Sequence, residues 1–302
     1  MRINRRNFLA TTMAGAGALL LRRPLLAAEP PVTYGADPFQ LVPLGRTGLK
    51  ASLISSGTGM SGHGRQSNQT RLGREPFEAL LRNAYEKGVR FFDCADTYGT
   101  NPYVGRALKA YPREDYVLST KIWLHPGGFP DEDRAEADVM VDRFRREFDT
   151  DYIDIVQLHC LMDGAWPTAH QREMELLEGA KARGAIRAHG VSIHSLPALK
   201  ACVDCEWVDV VHVRLNAYGD RMDDPDPNVV ADVVRQLHDA GKGVLAMKLI
   251  GEGAYRDDPA KRDESIRFVL SQGTVSSMIV GFEKPEEIDD FAARVQAVLA
   301  AK

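Results

Sequence analysis

From residue 53 onward, short runs of consecutive apolar, often β-branched residues alternate with longer stretches in which apolar positions recur every three to four residues. The short runs lie at 53–56, 89–93, 116–121, 153–159, 186–192, 208–215, 244–247 and 277–280, and they are continuous rather than strictly alternating. Strands covered by other layers read this way, so the runs predict a parallel sheet. The stretches at 76–87, 131–148, 174–183, 227–240 and 265–270 predict amphipathic helices, and 285–300 closes the chain with another. Gly88, Gly184, Gly241 and Gly273 stand where four of these helices should stop. Ahead of the first run, "FQLVPLGRTGLKAS" carries two short segments around Gly45 and Gly48, a hairpin signal.

Eight strand–helix repeats close most simply as an α/β TIM barrel, with the hairpin added at its N-terminal side. An open, doubly wound sheet is the competitor, and it would need a G-x-G-x-x-G turn after the first strand. The glycine-rich "GTGMSGHG" at 57–64 has another spacing and predicts a flexible rim loop. A chain of 302 residues with 44% apolar content suits one such domain, expected over residues 39–302.

The N-terminus does not join this pattern. "MRINRRNFLATTMAGAGALLLRRPLLAAEPP" has basic residues, an apolar run from Phe8 to Leu21 and small residues at Ala27 and Ala28, the layout of an export signal. The run is shorter than the roughly 20 residues of a membrane span, so no stable span is expected after processing. Arg5 and Arg6, followed by Asn7, Phe8 and Leu9, resemble a twin-arginine signal, whose machinery passes folded proteins. Residues 1–30 are therefore expected to be an export signal to the periplasm, and 31–38 a linker. An ordinary secretory signal or lipid-proximal anchor is the alternative, since Leu26 weakens the cleavage site; an unused or uncleaved signal leaves the protein cytoplasmic or membrane-tethered. The net charge of −4, without a basic stripe, excludes nucleic acid as a partner. Four cysteines are too few for a disulfide framework. Cys202 and Cys205 form a lone C-x-x-C with no second pair to complete a zinc site, so no metal is expected and the pair reads as an inert helix-surface feature.

In a barrel of this kind, strand ends converge on one mouth. The polar residues at three successive ends are Asp93, Lys121 and His159, with Tyr98 on the loop just beyond Asp93. Singly, each has a plain explanation: a helix cap, a solvated strand end, a core histidine, a packing tyrosine. Together they make a catalytic set. A Lys121 ammonium held by Asp93 would lower the Tyr98 phenol toward working pH, making it a general acid or base, while His159 polarises a carbonyl oxygen. Trp123 and Trp166 lie on following loops, where aromatics stack on a sugar ring or apolar carbonyl compound, or simply pack the rim. Cys94 and Cys160 neighbour Asp93 and His159 in strands, so they are expected to face the other way into packing.

"GVRFFDCADTYG", "LSTK" and "DIVQLH" resemble the aspartate–tyrosine, lysine and histidine motifs of the aldo-keto reductase family, and the resemblance runs from "LGRTGLKAS" to "IVGFEKPEEIDDF". It implies NADP- or NAD-dependent reduction of a small carbonyl compound to an alcohol, with Tyr98 as proton donor, Asp93 and Lys121 tuning it, and His159 positioning the carbonyl. It also implies cofactor contacts. Ser192 in "GVSIHS" corresponds to the serine at the nicotinamide amide, but Ile193 stands at the family's asparagine position. His212 in "VHVRLN" occupies the glutamine position, and Met247 in "VLAMKLIGEG" replaces an aromatic. Lys248, Leu249 and Gly251 would follow the pyrophosphate, with Gly281, Lys284 and Glu287 toward the adenosine. These departures keep open an alternative, a regulatory or low-turnover nucleotide-binding barrel. A metal-dependent barrel hydrolase or isomerase would need convergent ligands, and Lys121 among them disfavours a cation.

Overall fold

The structure, a computed structural model, describes residues 28–301. Of the expected signal at 1–30, residues 1–27 lie outside the described residues. Strands β1 (Leu41–Pro43) and β2 (Lys50–Ser52) pair antiparallel as the predicted hairpin. The other eight strands are β3 (Ile54–Gly57), β4 (Phe91–Asp93), β5 (Val117–Trp123), β6 (Ile153–Leu161), β7 (Ile186–Ile193), β8 (Val210–Arg214), β9 (Gly243–Met247) and β10 (Ser277–Gly281). They run parallel in sequence order, and β10 pairs with β3 to close the barrel. The fold is a TIM barrel.

Two-residue alternation sorts each strand between the barrel interior and the helical layer. Phe91, Val117, Ile155, Ala188, Val210, Leu245 and Ile279 point inward and form one buried cluster. Their neighbours Phe92, Leu118, Val156, Val211 and Met278 join the larger cluster beneath the helices. Leu44, Leu49 and Ala51 of the hairpin complete the interior cluster, so the hairpin plugs the floor of the barrel. Two residues beyond this apolar floor, the same inward face carries Asp93, Ser119, Gln157, Gly190, His212 and Met247. The next step up adds Lys121, His159, Ser192 and Arg214. Polar residues therefore gather at one end of the barrel because the pleat repeats every second residue.

The helices follow their sequence signals with adjusted ends. The helix Pro227–Asp239 buries Val230, Val233, Val234 and Leu237 at three- and four-residue spacing, and Asp226 caps it by accepting from Asn228 N. The helix Arg74–Lys87 ends at Gly88, whose φ of 117° no side-chain-bearing residue adopts readily. The helix expected at 265–270 spans Pro259–Ser271, because Asp258 caps it through Lys261 N. The stretch at 131–148 begins as a separate 3-10 turn, Asp131–Asp133, and becomes α-helical only over Ala137–Phe148. The helix Asn101–Leu108 was not among the expected stretches. Pro102 sits in its first turn, where a missing N–H costs nothing.

The segment expected to be a linker is docked on the barrel. Val32 N donates to Gly273 O at 2.7 Å and Tyr34 Oη to Val275 O at 2.7 Å. Glu29 accepts from Arg46 Nε at 2.8 Å. The Cys202–Cys205 pair also differs from expectation. Cys202 is buried at the end of helix Leu196–Ala201 with Sγ on Ala198 O at 3.3 Å, so it packs the interior instead of lying on a helix surface. Both cysteines are free thiols. No helix of the described residues is long and apolar enough to cross a membrane.

Candidate active site

β4 and β5 pair with Asp93 beside Ser119, which places Lys121 two residues further along the same inward face. Lys121 Nζ donates to Asp93 Oδ1 at 2.6 Å and to Cys94 O at 2.8 Å, and both side chains are buried. On the neighbouring strand, His159 is buried at the height of Trp123. Tyr98 ends the 3-10 turn Asp96–Tyr98 that follows β4, and its Oη lies 3.3 Å from His159 Nε2. The two rings meet edge to face with centroids 5.5 Å apart. The structure thus brings Asp93, Tyr98, Lys121 and His159 to one point at the mouth.

The turn bearing Tyr98 is held from two sides. Asp96 is buried and takes two bonds from Arg143, Nη1 to Oδ1 at 3.0 Å and Nη2 to Oδ2 at 2.7 Å, while Arg65 Nε reaches Oδ1 at 3.3 Å. The glycine-rich segment is no flexible rim; it lies directly on the tyrosine. A Cβ at Gly59 would fall 2.2 Å from Tyr98 Cε2, and one at Gly62 would fall 2.3 Å from Cδ1. Only glycine permits that approach. Asp96, Gly59 and Gly62 were not among the expected site residues; the buried carboxylate in "DCADTYG" was the one local signal for the first.

The electrostatics correct the expected role of Lys121. Burial alone would raise the Asp93 carboxyl, yet Lys121 and then His212 hold it well below the usual carboxylate range. Burial, then the Asp93 carboxylate, push the Tyr98 phenol well above its ordinary 10.0, not down toward working pH. Lys121 Nζ lies 5.2 Å from the centre of the Tyr98 ring, and its charge is directed at Asp93. Burial and the Lys121 charge push the His159 imidazole well below 6.5, so it is neutral at pH 7. The arrangement therefore holds a protonated phenol against a neutral imidazole.

A cleft runs from Tyr98 and Asp93 between the ends of β9, β10 and β3, and Met247, Lys248, Leu249 and Gly281 line it together with Gly57, Met60 and Asn68. Ser192 and His212 lie deeper, both buried, with His212 Nε2 3.0 Å from Asp93 Oδ1. Gly251 is not on the wall of this cleft. It sits under the Tyr255 ring, where a Cβ would come 2.8 Å from Cζ. Lys284 and Glu287 stand at the start of helix Pro285–Ala300, with Glu287 Oε2 accepting from Glu283 N at 2.7 Å. Neither lines the cleft, and Glu287 borders an adjoining hollow with Met60, Arg256 and Phe291.

A family model described as the aldo/keto reductase family matches residues 54–265, which is most of the chain and spans Asp93, Tyr98, Lys121 and His159. The chain belongs to the aldo/keto reductase family. It is an oxidoreductase. L-galactose dehydrogenase of Arabidopsis thaliana is 25% identical over 288 residues, covering 85% of this chain and 88% of that protein. Aldo-keto reductase YhdN of Bacillus subtilis is 31% identical over 163 residues, covering 50% and 46%. A solved structure from Pseudomonas aeruginosa superposes with a TM-score of 0.70 at 22% identity, covering 87% of this chain and 96% of the other, a likeness of fold.

Within this aldo/keto reductase, the positions around the cleft end reveal what strand alternation does to single residues. Ile193 faces the helical layer and is fully buried there. His194 is the next inward residue, and its Nδ1 has no hydrogen-bond partner among the described residues. Counting two residues on from Ser192 would have found it. Trp123 stays half-buried at the mouth, its ring centre 5.3 Å from that of His159. Trp166 is not a pocket residue. It is 1% exposed, packs in the core and donates Nε1–H to Ala198 O at 3.2 Å, because the loop after β6 folds into a helical turn, Trp166–Ala169. Cys94 is buried as expected, but Cys160 has φ of 62° at a bulge in β6 and is left partly exposed. Among the described residues, no group of three His, Cys, Asp or Glu side chains could hold a metal ion.

The Gly59–Tyr98 contact has a direct consequence. Gly59→Ala is expected to displace the Tyr98 ring and cut turnover by about 10²-fold, the scale of a 1 Å misplacement, while the melting temperature changes little. Unchanged turnover in steady-state assays would show that the loop does not position Tyr98.

Proposed function

We propose that the protein reduces an aldehyde or ketone to an alcohol, using NADH or NADPH, with Tyr98 as the proton donor. The observation that carries this is the Tyr98 hydroxyl, protonated by its surroundings and 3.3 Å from His159 Nε2, at the end of a cleft that begins beside Asp93. The cleft suits a nicotinamide dinucleotide: Met247 and Leu249 offer apolar surface to a planar ring, and Lys248 is a cation on the same wall. When bound, that cofactor supplies the hydride. Tyr98 and His159 both point hydrogen-bonding atoms at the place where a carbonyl oxygen would acquire charge. As that oxygen becomes an alkoxide, the Tyr98 O–H gives up its proton to it. The Lys121 ammonium beside the ring then offsets the phenolate that remains.

A sugar-like carbonyl compound is the substrate class favoured here. The likeness to L-galactose dehydrogenase over 85% of the chain supports it. So does Trp123, whose half-buried ring beside His159 offers a face for a sugar ring. We further propose that residues 1–30 direct twin-arginine export of the folded protein to the periplasm. The signal layout of the leader, with Arg5 and Arg6 ahead of Asn7, Phe8 and Leu9, is what supports it.

Tyr98→Phe removes the donor oxygen and leaves the cleft wall. It is expected to lower turnover of NADH or NADPH with aldehydes and sugars by about 10²–10⁴-fold, with dissociation constants for the nucleotide unchanged. Full turnover in that variant would reject Tyr98 as donor.

The pH profile follows from the two shifts. The donor form of Tyr98 is the protonated one, which is lost only as pH rises through a value above 10.0, and His159 is already neutral above 6.5. The maximal reduction rate should therefore be flat from about pH 7 to about pH 9. A midpoint inside that window, measured at saturating nucleotide, contradicts the assignment. For export, replacing Arg5 and Arg6 together with lysine is expected to leave the protein in the cytoplasmic fraction; periplasmic recovery at the original level argues against twin-arginine transport.

A further inference from the structure

The turn between His63 and Gln66 holds an unexpected residue at its tip. His63 N donates to Gln66 O at 2.9 Å and Gln66 N to His63 O at 3.1 Å, and the two residues between them, Gly64 and Arg65, have φ of 61° and 56°. Two-residue turns with both central φ positive favour glycine, asparagine and aspartate, because other side chains are crowded there. Gly64 meets that preference and Arg65 does not. A residue in such a conformation persists where its surroundings over-determine it.

The surroundings of Arg65 are separate pieces of the mouth. Nε donates to Asp96 Oδ1 at 3.3 Å, on the turn bearing Tyr98, and Nη1 to Asp133 Oδ2 at 2.7 Å, on the loop after β5. A Cβ on Gly99 would fall 2.1 Å from its main-chain oxygen, so the residue after Tyr98 must be small to admit it. The guanidinium also lies 5.0 Å from the centre of the Phe129 ring, which is buried in the loop after β5. Arg134 lies over that ring at 4.8 Å and donates to Gly127 O. Gly127 O accepts in turn from Trp123 Nε1 at 2.9 Å, and a Cβ on Gly128 would meet that nitrogen at 2.7 Å. The loop is thus folded against Trp123 on one side and against Arg65 on the other.

The residue type follows from these contacts. A guanidinium is planar and forked, so its edge can serve carboxylates on two segments while its face covers an aromatic ring. Arg143 already holds Asp96 with two bonds, and what Arg65 adds is the tie to the loop. We propose that Arg65 is a positioning residue that clasps the loop after β5 to the turn bearing Tyr98, and so fixes Trp123 as a wall for the part of a substrate that extends away from its carbonyl group. The substrate half of this rests on the reductase function proposed above. A carbonyl compound long enough to reach Trp123 feels the clasp, and a short aldehyde does not.

The full-length protein tests both halves. Asp133→Ala cuts the tie on the loop side and leaves Asp96 with its bonds; Arg65→Asn removes the guanidinium and suits the turn. In fluorine spectra of the fluorotryptophan-labelled, ligand-free protein, assigned with Trp123→Phe, both variants are expected to shift or broaden the Trp123 signal and leave those of Trp166 and Trp207 in place. An unmoved Trp123 signal, or movement of all three, overturns the clasp. In steady-state assays at saturating nucleotide, Asp133→Ala is expected to raise KM for D-glucose about tenfold with kcat unchanged, the mark of binding shared by ground and transition states. Its constants for propanal are expected to match those of the unaltered protein, and Asp133→Glu is expected to restore KM for glucose. An equal change for both substrates, a fall in kcat alone, no change for either, or turnover of propanal alone by the unaltered protein overturns the substrate half. If the unaltered protein reduces neither compound, the reductase function and the substrate half fall together, and the fluorine spectra still decide the clasp.

Discussion

The buried pairing of Lys121 with Asp93 is the constraint on which the rest of the mouth depends. An ammonium and a carboxylate are taken from water into the barrel interior, where desolvation costs several kcal/mol per ion. The 2.6 Å contact, the bond from Nζ to Cys94 O and the His212 ring beside Oδ1 offset that cost. Removing either partner would leave an unpaired buried charge, a loss of about 3–5 kcal/mol. Burial of the phenol above the pair, with the Asp93 carboxylate adding to it, pushes Tyr98 well above its ordinary 10.0. Tyr98 consequently keeps its proton, and its position, rather than an unusual acidity, is what the surroundings secure.

That position is assembled from pieces far apart in the chain. Asp96 fixes the turn to the helix Ala137–Phe148 through Arg143, and the loop with Gly59 and Gly62 closes on the ring from the β3 side. Tyr98 is the one member of the set that lies beyond a strand, in the 3-10 turn after β4, so it alone needs this external support. Loops carry function well when the scaffold immobilises them.

The barrel was legible in the sequence because its strands are buried on both faces and its helices on one, which writes two different periods into the chain. The residues Asp93, Lys121 and His159 were legible for the same reason: each is an even number of residues beyond an inward apolar position on its own strand. What could not be read was anything set by contacts between distant segments. The sign of the Tyr98 shift turns first on how completely the folded mouth buries the phenol, which spacing does not encode. Gly59 meets Tyr98 only in the folded chain, and Trp166 is pulled from the rim by a short helical turn that its loop composition did not announce. Helix Asn101–Leu108 was hidden by Pro102 and Gly105, residues that break helices in the middle yet are tolerated where neighbours or the first turn accommodate them.

The departures from the family pattern are not scattered. Ile193, His212 and Met247 lie on β7, β8 and β9, consecutive strands on one side of the ring, whereas Asp93, Lys121 and His159 lie on β4, β5 and β6. One arc of the ring thus carries Asp93, Lys121 and His159, and another the departures from the family pattern. A change on the second arc would ordinarily leave the first untouched, since side chains at the same height on opposite strands are separated by the barrel's width. His212 is long enough to cross that width and end at Asp93. That contact joins Lys121 in holding the buried Asp93 carboxyl below the usual carboxylate range.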